Sequence, residues 1–265
     1  TTFGPLFEGP SPDGRRLISR RADNIVVRDA DTGAERALTT DGVPRYSWLD
    51  TEESSEGLNA ASSPDGKRIA AVRLDSRDVH YEPLMRWLTR APTVDYVAYP
   101  RAGDAMHSFE LAVFDADSGA RTMIDTGDTS DHYLNLIGWL AGGRSLLYQL
   151  IDREHKRLRL FRADAATGTV RLVLTETRAT YIDTPMTLSP VLVRPLERGG
   201  FLYLSERDGW RHIYRHDDEG KLIRQLTSGA WPVEEIVRVD ERWVYFTAAR
   251  SEPYQAALYR VPIIG

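Results

Sequence analysis

Short apolar segments in this chain alternate with polar positions, and many of them end at an acidic residue that a glycine soon follows. Glycine supplies the positive φ that a tight hairpin needs, while the side chains of Asp, Ser and Thr bond back to nearby backbone groups. Extended, β-favouring residues flank each turn, which predicts a series of β-hairpins. The four clearest turns are Asp29-Ala-Asp-Thr-Gly33, Asp115-Ala-Asp-Ser-Gly119, Asp164-Ala-Ala-Thr-Gly168 and Asp217-Asp-Glu-Gly220.

The spacing of these hairpins predicts a repeat. Their glycines are separated by 86, 49 and 52 residues, and repeats of about 40–50 residues with several strands each are typical of β-propellers. No long segment has a helical period. We therefore expect an all-β fold, a β-propeller in the form of an incomplete ring of about five four-stranded blades, with the fifth only partly present. The predicted strands are 16–19, 24–28 and 35–39; 68–74, 109–114 and 120–125; 134–139, 145–150, 157–162 and 169–174; 187–193, 201–205, 212–215 and 221–226; and 233–239, 243–247 and 257–261.

The composition narrows the classes of function. A net charge of −5 gives no basic surface, so we expect no nucleic-acid partner. The absence of cysteine excludes disulfides and thiolate sites. No apolar run approaches the roughly 18 residues of a membrane span, and the first residues do not resemble a signal peptide. We expect residues 1–265 to be one propeller domain taken from a longer protein.

The second repeat contains an insertion. The distance from Gly14 to Asp29 is 15 residues, whereas the equivalent distance from Gly66 to Asp115 is 49. About 34 extra residues, centred on 76–107, therefore interrupt this unit. The segment is too rich in aromatic and aliphatic residues for a solvated linker, and long insertions are usually functional. We interpret it as an arm that packs on a partner.

Candidate catalytic chemistry is sparse. The chain has no Gly-x-Ser-x-Gly pentapeptide for a nucleophile on a strand–helix turn. Of the six histidines only His212 and His216 are close in sequence, and on a strand they would lie about 13 Å apart. We therefore predict no catalytic residue, no metal and no cofactor in this chain. Ser205 to Tyr214 is interpreted as a hairpin with Asp208-Gly209 at its turn and Trp210 packed between blades.

One pair of side chains could bind a ligand. Adjacent carboxylates such as Glu52 and Glu53 are usually solvated loop charges, but two held together can bind an ammonium group by charge-assisted hydrogen bonds. The residues alone leave both interpretations open.

Several segments together resemble a known family. They are Ser63-Pro-Asp-Gly-Lys-Arg-Ile-Ala-Ala-Val-Arg-Leu-Asp75, Tyr99-Pro-Arg-Ala-Gly-Asp104, Ser205 to Tyr214, and Leu226-Thr-Ser-Gly-Ala-Trp231. In order and spacing the chain resembles the N-terminal β-propeller of bacterial dipeptidyl peptidase IV, in the prolyl oligopeptidase clan.

The resemblance implies a serine exopeptidase that releases N-terminal dipeptides. In that family an eight-bladed propeller restricts access to a C-terminal α/β-hydrolase domain, which carries the catalytic triad and is absent from this chain. The resemblance also implies that Glu52 and Glu53 bind the α-amine of the peptide substrate and that the arm at 76–107 helps to form a homodimer. A periplasmic or secreted location is expected for the parent protein. This chain alone should not cleave peptides.

Two departures from the family pattern and one alternative remain. Ala60, Ala61 and Ser62 stand where family members commonly have aromatic residues, and the loop 54–59 is more polar than usual, which leaves the peptide specificity open. The alternative is a non-enzymatic propeller that resembles TolB-type scaffolds and binds proteins. The arm and the Glu-Glu pair favour the peptidase interpretation, because simple scaffolds lack both.

Overall fold

The computed structural model describes residues 9–49, 60–88, 90–184, 192–252 and 254–264. All regular structure in these ranges is β, in five successive antiparallel sheets that we call blades 1 to 5, plus one separate hairpin. None of the described residues forms a helix long and apolar enough to cross a membrane. The all-β propeller arc predicted from the repeat is therefore confirmed.

The strands follow the predicted order within each blade. Blade 1 contains β1 (Gly9–Pro10), β2 (Arg16–Arg21), β3 (Asn24–Asp29) and β4 (Glu35–Ala37), and blade 2 contains β5 (Tyr46–Trp48), β6 (Ala60–Ser62), β7 (Arg68–Asp75), β10 (Ser108–Asp115) and β11 (Arg121–Met123). The arm hairpin contains β8 (Tyr81–Arg86) and β9 (Thr93–Ala98), and blade 3 contains β12 (His132–Trp139), β13 (Ser145–Asp152), β14 (Arg157–Asp164) and β15 (Val170–Thr177). Blade 4 contains β16 (Val193–Pro195), β17 (Phe201–Ser205), β18 (His212–His216) and β19 (Leu222–Gln225), and blade 5 contains β20 (Val233–Val239), β21 (Trp243–Glu252) and β22 (Gln255–Pro262).

One predicted strand is described only in part. The first strand of the fourth unit was expected over 187–193, and residues 187–191 lie outside the described ranges. The described strand β16 spans Val193–Pro195.

The repeated turns have the local hydrogen bonds that their sequence predicts. The carboxylate of Asp29 accepts from the backbone N–H of Thr32 at 2.7 Å and from its hydroxyl at 2.8 Å. Asp115 makes the same pair of bonds to Ser118. In the Ser-Pro-Asp-Gly turns, the hydroxyl of Ser11 donates to Asp13 and accepts from the N–H of Arg16. These bonds need only neighbouring residues, so the same motif gives the same turn in each blade.

The core lies between blades. One buried cluster joins Ile25 and Val27 of blade 1 to Ile69 and Phe114 of blade 2. A second cluster joins blades 2 and 3, and a third joins blades 3, 4 and 5. Arginines that follow the first turn of a blade reinforce the packing: Arg16 donates to the carbonyl of Gly66 at 3.0 Å. Each blade is thus stabilised mainly by its neighbours.

The antiparallel topology gives the arc two different faces. All Ser-Pro-Asp-Gly turns and all acidic hairpins lie at one end of the strands, which we call the repeat face. The opposite end, the variable face, holds the connections between blades and the links from the second to the third strand. The arm, the connections 124–131 and 178–192, and the turn 206–211 belong to the variable face.

Candidate functional site

The innermost strand of blade 2 is broken into two pieces that pair with the same neighbour. Trp48 at the end of β5 lies opposite Arg73, and the N–H of Leu49 donates to the carbonyl of Val72 at 2.9 Å. Pairing resumes with Ala60 opposite Ala71. The chain therefore leaves the strand and returns to nearly the same point, so that residues 50–59 are an insertion into it.

The Glu-Glu pair belongs to this insertion. Glu52 and Glu53 lie outside the described residues, and their predicted role in amine binding stays a prediction. The described residues on either side of this segment, β5 with Leu49 and then β6, are called the stem, and they fix where the segment starts and ends. Strand β6 contacts β12, and β12 contacts β16, as expected for neighbouring inner strands of a propeller. The insertion is therefore attached to the inner side of the arc.

The chain leaves β5 through an unusual backbone conformation. Leu49 has a φ of 57°, which is rare for a bulky residue without a special role. Its side chain is nevertheless buried. Trp48 beside it is completely buried, packs edge-to-face on Phe114 and donates its indole N–H to Asp41 at 3.1 Å. These contacts hold the departure point of residues 50–59 in one place.

A buried arginine organises the stem. Arg73 lies opposite Trp48 on β7, and its side chain is 7% exposed. Its Nε donates to Glu110 at 2.8 Å, its Nη2 also contacts Glu110, and its Nη1 donates to Asp41 at 3.0 Å. The guanidinium also lies 4.0 Å from the ring centre of Tyr46. Such a planar, forked donor suits two carboxylates and an aromatic face at once.

We call the side chains of Arg73, Asp41, Glu110 and Arg121 the Arg73 cluster. It contains two guanidinium groups and two carboxyl groups. Arg121 also donates to Asp41, at 2.6 Å. Burial alone would raise the pKa of Asp41, but hydrogen bonds from Arg121 and Trp48 and the charge of Arg73 outweigh it and lower that pKa to about 2. Asp41 is therefore ionised at neutral pH and bonds to the guanidinium groups of Arg73 and Arg121. The cluster is a structural support for the stem.

The arm is attached beside the stem, through Arg45. Arg45, immediately before β5, has a left-handed backbone with a φ of 71°. Its guanidinium donates to the carbonyls of Ser76, Arg77 and Val79 and lies 4.1 Å from the ring centre of Tyr81. The far side of the arm is tied to blade 3, because Arg153 donates to the carbonyls of Arg101 and Asp104.

The arm is a two-stranded hairpin with an apolar surface. Strands β8 and β9 pair with each other and belong to no blade. Trp87 is 71% exposed and Tyr96 is 67% exposed. The described residues of the arm thus confirm that its apolar side chains are not all buried. The exposed apolar side chains of the arm are Leu84, Met85, Trp87, Leu88, Val94, Tyr96 and Tyr99.

The two neighbouring histidines considered in the sequence analysis make hydrogen bonds within the fold. The buried ring of His212 bonds to Thr227 and to the carbonyl of Gly229, and burial lowers the pKa of His216, which bonds to the carbonyl of Gly220. Within the described ranges, no group of three His, Cys, Asp or Glu side chains is arranged to hold a metal. The turn at Asp208-Gly209 is confirmed. Trp210 is 45% exposed, so the prediction that it packs between blades is wrong.

Sequence reasoning missed the Arg73 cluster. Asp41 and Glu110 are 32 and 37 residues from Arg73 along the chain. A single signal was present, a lone arginine within the otherwise apolar run from Ile69 to Leu74. Its partners become apparent only when three strands and a connection are assembled.

Comparison with known proteins identifies the family. The family model of the dipeptidyl peptidase IV (DPP IV) N-terminal region matches residues 7–264. The chain belongs to this family. A crystal structure of Porphyromonas gingivalis dipeptidyl peptidase 4 superimposes with a TM-score of 0.85 at 25% identity, covering 97% of this chain and 37% of that chain.

Curated relatives agree with the family. The chain is 26% identical over 290 residues to "Probable dipeptidyl-aminopeptidase B" of Emericella nidulans, which covers 96% of this chain and 32% of the relative. It is 25% identical over 317 residues to the protein of the same name from Uncinocarpus reesii, covering 100% of this chain and 34% of the relative. The chain thus spans about a third of the length of these relatives.

Proposed function

We propose that this DPP IV N-terminal region is the substrate-gating and N-terminus-binding propeller of a serine-type dipeptidyl aminopeptidase. The parent protein would release N-terminal dipeptides with a hydrolase domain that follows this region, while the propeller limits access to short or flexible peptide ends. The observation that carries the proposal is the insertion at 50–59. Its described ends lie on an inner strand that Leu49 and the Arg73 cluster hold in place, and the sequence of the inserted segment includes Glu52 and Glu53.

The chemistry of the proposed site is recognition of an ammonium group. Two carboxylates accept several charge-assisted hydrogen bonds from one α-amine, and each such bond contributes about 1.5–3 kcal/mol when water is excluded. The cations of the Arg73 cluster bond to Asp41 and Glu110. That pairing supports a role in positioning the stem. The charge of Glu52 and Glu53 would then be directed to the substrate.

Substitution of each glutamate in the full-length parent protein tests the proposal. Glu52→Gln and Glu53→Gln should each lower kcat/KM for dipeptide substrates with a free amine by roughly ten- to a hundred-fold, since each 1.4 kcal/mol or so corresponds to tenfold. Substrates with a blocked amine should be poor for the wild type and no worse for the variants. Steady-state kinetics with matched free and N-acetylated substrates measures this difference.

A control lies in the same segment. Glu56→Gln removes one negative charge from residues 50–59 without touching the pair, and its kcat/KM should stay within about twofold of the wild type. An equal loss in Glu56→Gln would point to a general charge effect. Full activity of the Glu52→Gln, Glu53→Gln double variant would refute amine binding by this pair.

A further inference from the structure

A groove lies where the chain passes from blade 2 to blade 3. It is lined by the connection 125–128 and by His132, Tyr148, Arg159, Phe161 and Val170 of blade 3. None of these residues belongs to the Arg73 cluster or to the stem of the insertion.

A buried hydroxyl belongs to the wall of this groove. The side chain of Tyr148 is completely buried, and its ring stacks on Phe161 with centroids 5.1 Å apart and planes 13° apart. Its hydroxyl has no hydrogen-bond partner among the described residues. Burial raises the pKa of the Tyr148 hydroxyl, and the negative charge of Asp125 raises it further. The positive charge of Arg159 lowers it, so the charges of both residues act on the hydroxyl. A buried polar group without a partner is uncommon and calls for an explanation.

Two further donors belong to the same wall. The distance from Arg159 Nη2 to His132 Nε2 is 3.0 Å, and because a guanidinium has no acceptor, the imidazole must accept this bond. His132 is therefore neutral with its proton on Nδ1, and burial and the charge of Arg159 both lower its pKa. That Nδ1 is buried and has no partner among the described residues. Tyr148, His132 and Arg159 thus supply donors and positive charge.

The connection adds acidic side chains to the lining. Asp125 and Asp128 lie in the connection 125–128, and a hydrogen bond from the backbone of Ser130 lowers the pKa of Asp128. A simple anion would meet donors but also repulsion from these two carboxylates. A molecule with a carboxylate and an ammonium group matches both kinds of lining residue.

We propose that this groove binds a zwitterionic amino acid or short peptide. Its carboxylate bonds to the Tyr148 hydroxyl and to the Arg159 guanidinium, which His132 orients, and its ammonium group faces Asp125 and Asp128. The proposal is independent of the function of Glu52 and Glu53.

Thermal unfolding of the full chain tests the proposal, with glycylglycine as the zwitterionic probe and acetate as the simple anion. Glycylglycine at tens of millimolar should raise the apparent Tm of the wild type in a saturable way, since a ligand that binds only the folded state stabilises it. Arg159→Met should abolish the rise. Arg162→Met on the same strand is the matched control, because Arg162 pairs with Glu219 outside the groove, and it should keep the rise.

Tyr148→Phe separates binding from folding. Without ligand, its apparent Tm should equal or exceed that of the wild type, because the substitution removes only an unpaired buried hydroxyl. With glycylglycine, the apparent Kd should rise at least about tenfold, which is the loss expected for a missing hydrogen bond to a charged group. A large drop in Tm without ligand would show that the hydroxyl has a structural partner and would overturn the proposal. So would equal stabilisation by acetate and glycylglycine, or no effect of glycylglycine at all.

Discussion

Arg73 is a charged side chain within the apolar run of β7, and its surroundings explain why the fold accepts it. It contacts the carboxylates of Asp41 and Glu110 and the rings of Tyr46 and Trp48. These four residues come from the connection after β4, from β5 and from β10. One side chain thus joins the stem of the insertion to the middle of blade 2, which an apolar residue of the same size would not do.

We predict that loss of this guanidinium weakens the stem. Arg73→Met removes this cation from Glu110 and from Asp41, although Asp41 keeps its bond to Arg121. Because each carboxylate is about 40% exposed, water recovers part of the cost. Stability should fall by about 1–3 kcal/mol, which thermal unfolding would show as an apparent Tm several degrees lower. Hydrogen exchange should become faster at the amides of β5.

Arg77→Met is the matched control for this prediction. Arg77 stacks on the same Tyr46 ring but is 55% exposed and pairs with Asp75, so its loss should cost at most about 1 kcal/mol. Equal effects of the two substitutions would contradict a special role for Arg73.

At the scale of the element, the acidic hairpins connect neighbouring blades as well as adjacent strands. A Cβ at Gly168 would lie 2.1 Å from the carbonyl oxygen of Met123, and one at Gly220 would lie 2.0 Å from that of Val173. In both cases the contacted residue belongs to the outer strand of the preceding blade. Glycine is needed at these two positions for its positive φ and also for the close approach of two backbones.

The two requirements can be separated by alanine substitution. Gly33 has the same motif and nearly the same φ as Gly168, but no described atom lies within 4 Å of its Cβ position. Gly33→Ala should therefore cost only the left-handed strain of about 1 kcal/mol. Gly168→Ala should cost at least about 2–3 kcal/mol, because blade 3 must also move away from blade 2. Thermal unfolding of the two variants compares these costs, and equal losses would rule out the contact between blades as the cause.

Local motifs made much of this architecture predictable, and long-range contacts account for the rest. The hairpins at Gly119 and Gly168 depend on bonds between residues at most five apart, so the sequence was enough to locate them. The exposure of Trp210 and the Arg73 cluster depend on which strands become neighbours. For Glu52 and Glu53 the amine-binding role stays a prediction, and the structure describes only the stem.

Across the whole molecule, regular and irregular features are segregated. The repeat face carries turns that recur from blade to blade, whereas the variable face carries the arm and the longer connections between blades. The arm projects a larger set of exposed apolar side chains than any other described hairpin, with Trp87 and Leu88 near its tip. Exposed apolar patches usually mark contact surfaces.

We propose that the arm contributes to a homodimer of the parent protein, and substitution tests this. Trp87→Ser combined with Tyr96→Ser should shift the full-length protein from dimer toward monomer in sedimentation velocity, because both side chains are more than 60% exposed and their loss removes apolar contact area. Leu258→Ser is the control, since Leu258 is 64% exposed on blade 5 away from the arm. A dimer that persists in the double variant would leave the arm without this role.

The break in the inner strand of blade 2 also affects how the protein can change during evolution. Because Leu49 and Ala60 contact neighbouring positions on β7, residues 50–59 can be lengthened, shortened or exchanged without moving the register of any strand. The entropy of closing such a loop grows slowly, by about 0.6 kcal/mol for each doubling of its length. Blade 2 is therefore a fixed frame in which an inserted segment of variable length can be exchanged while the propeller keeps its stability.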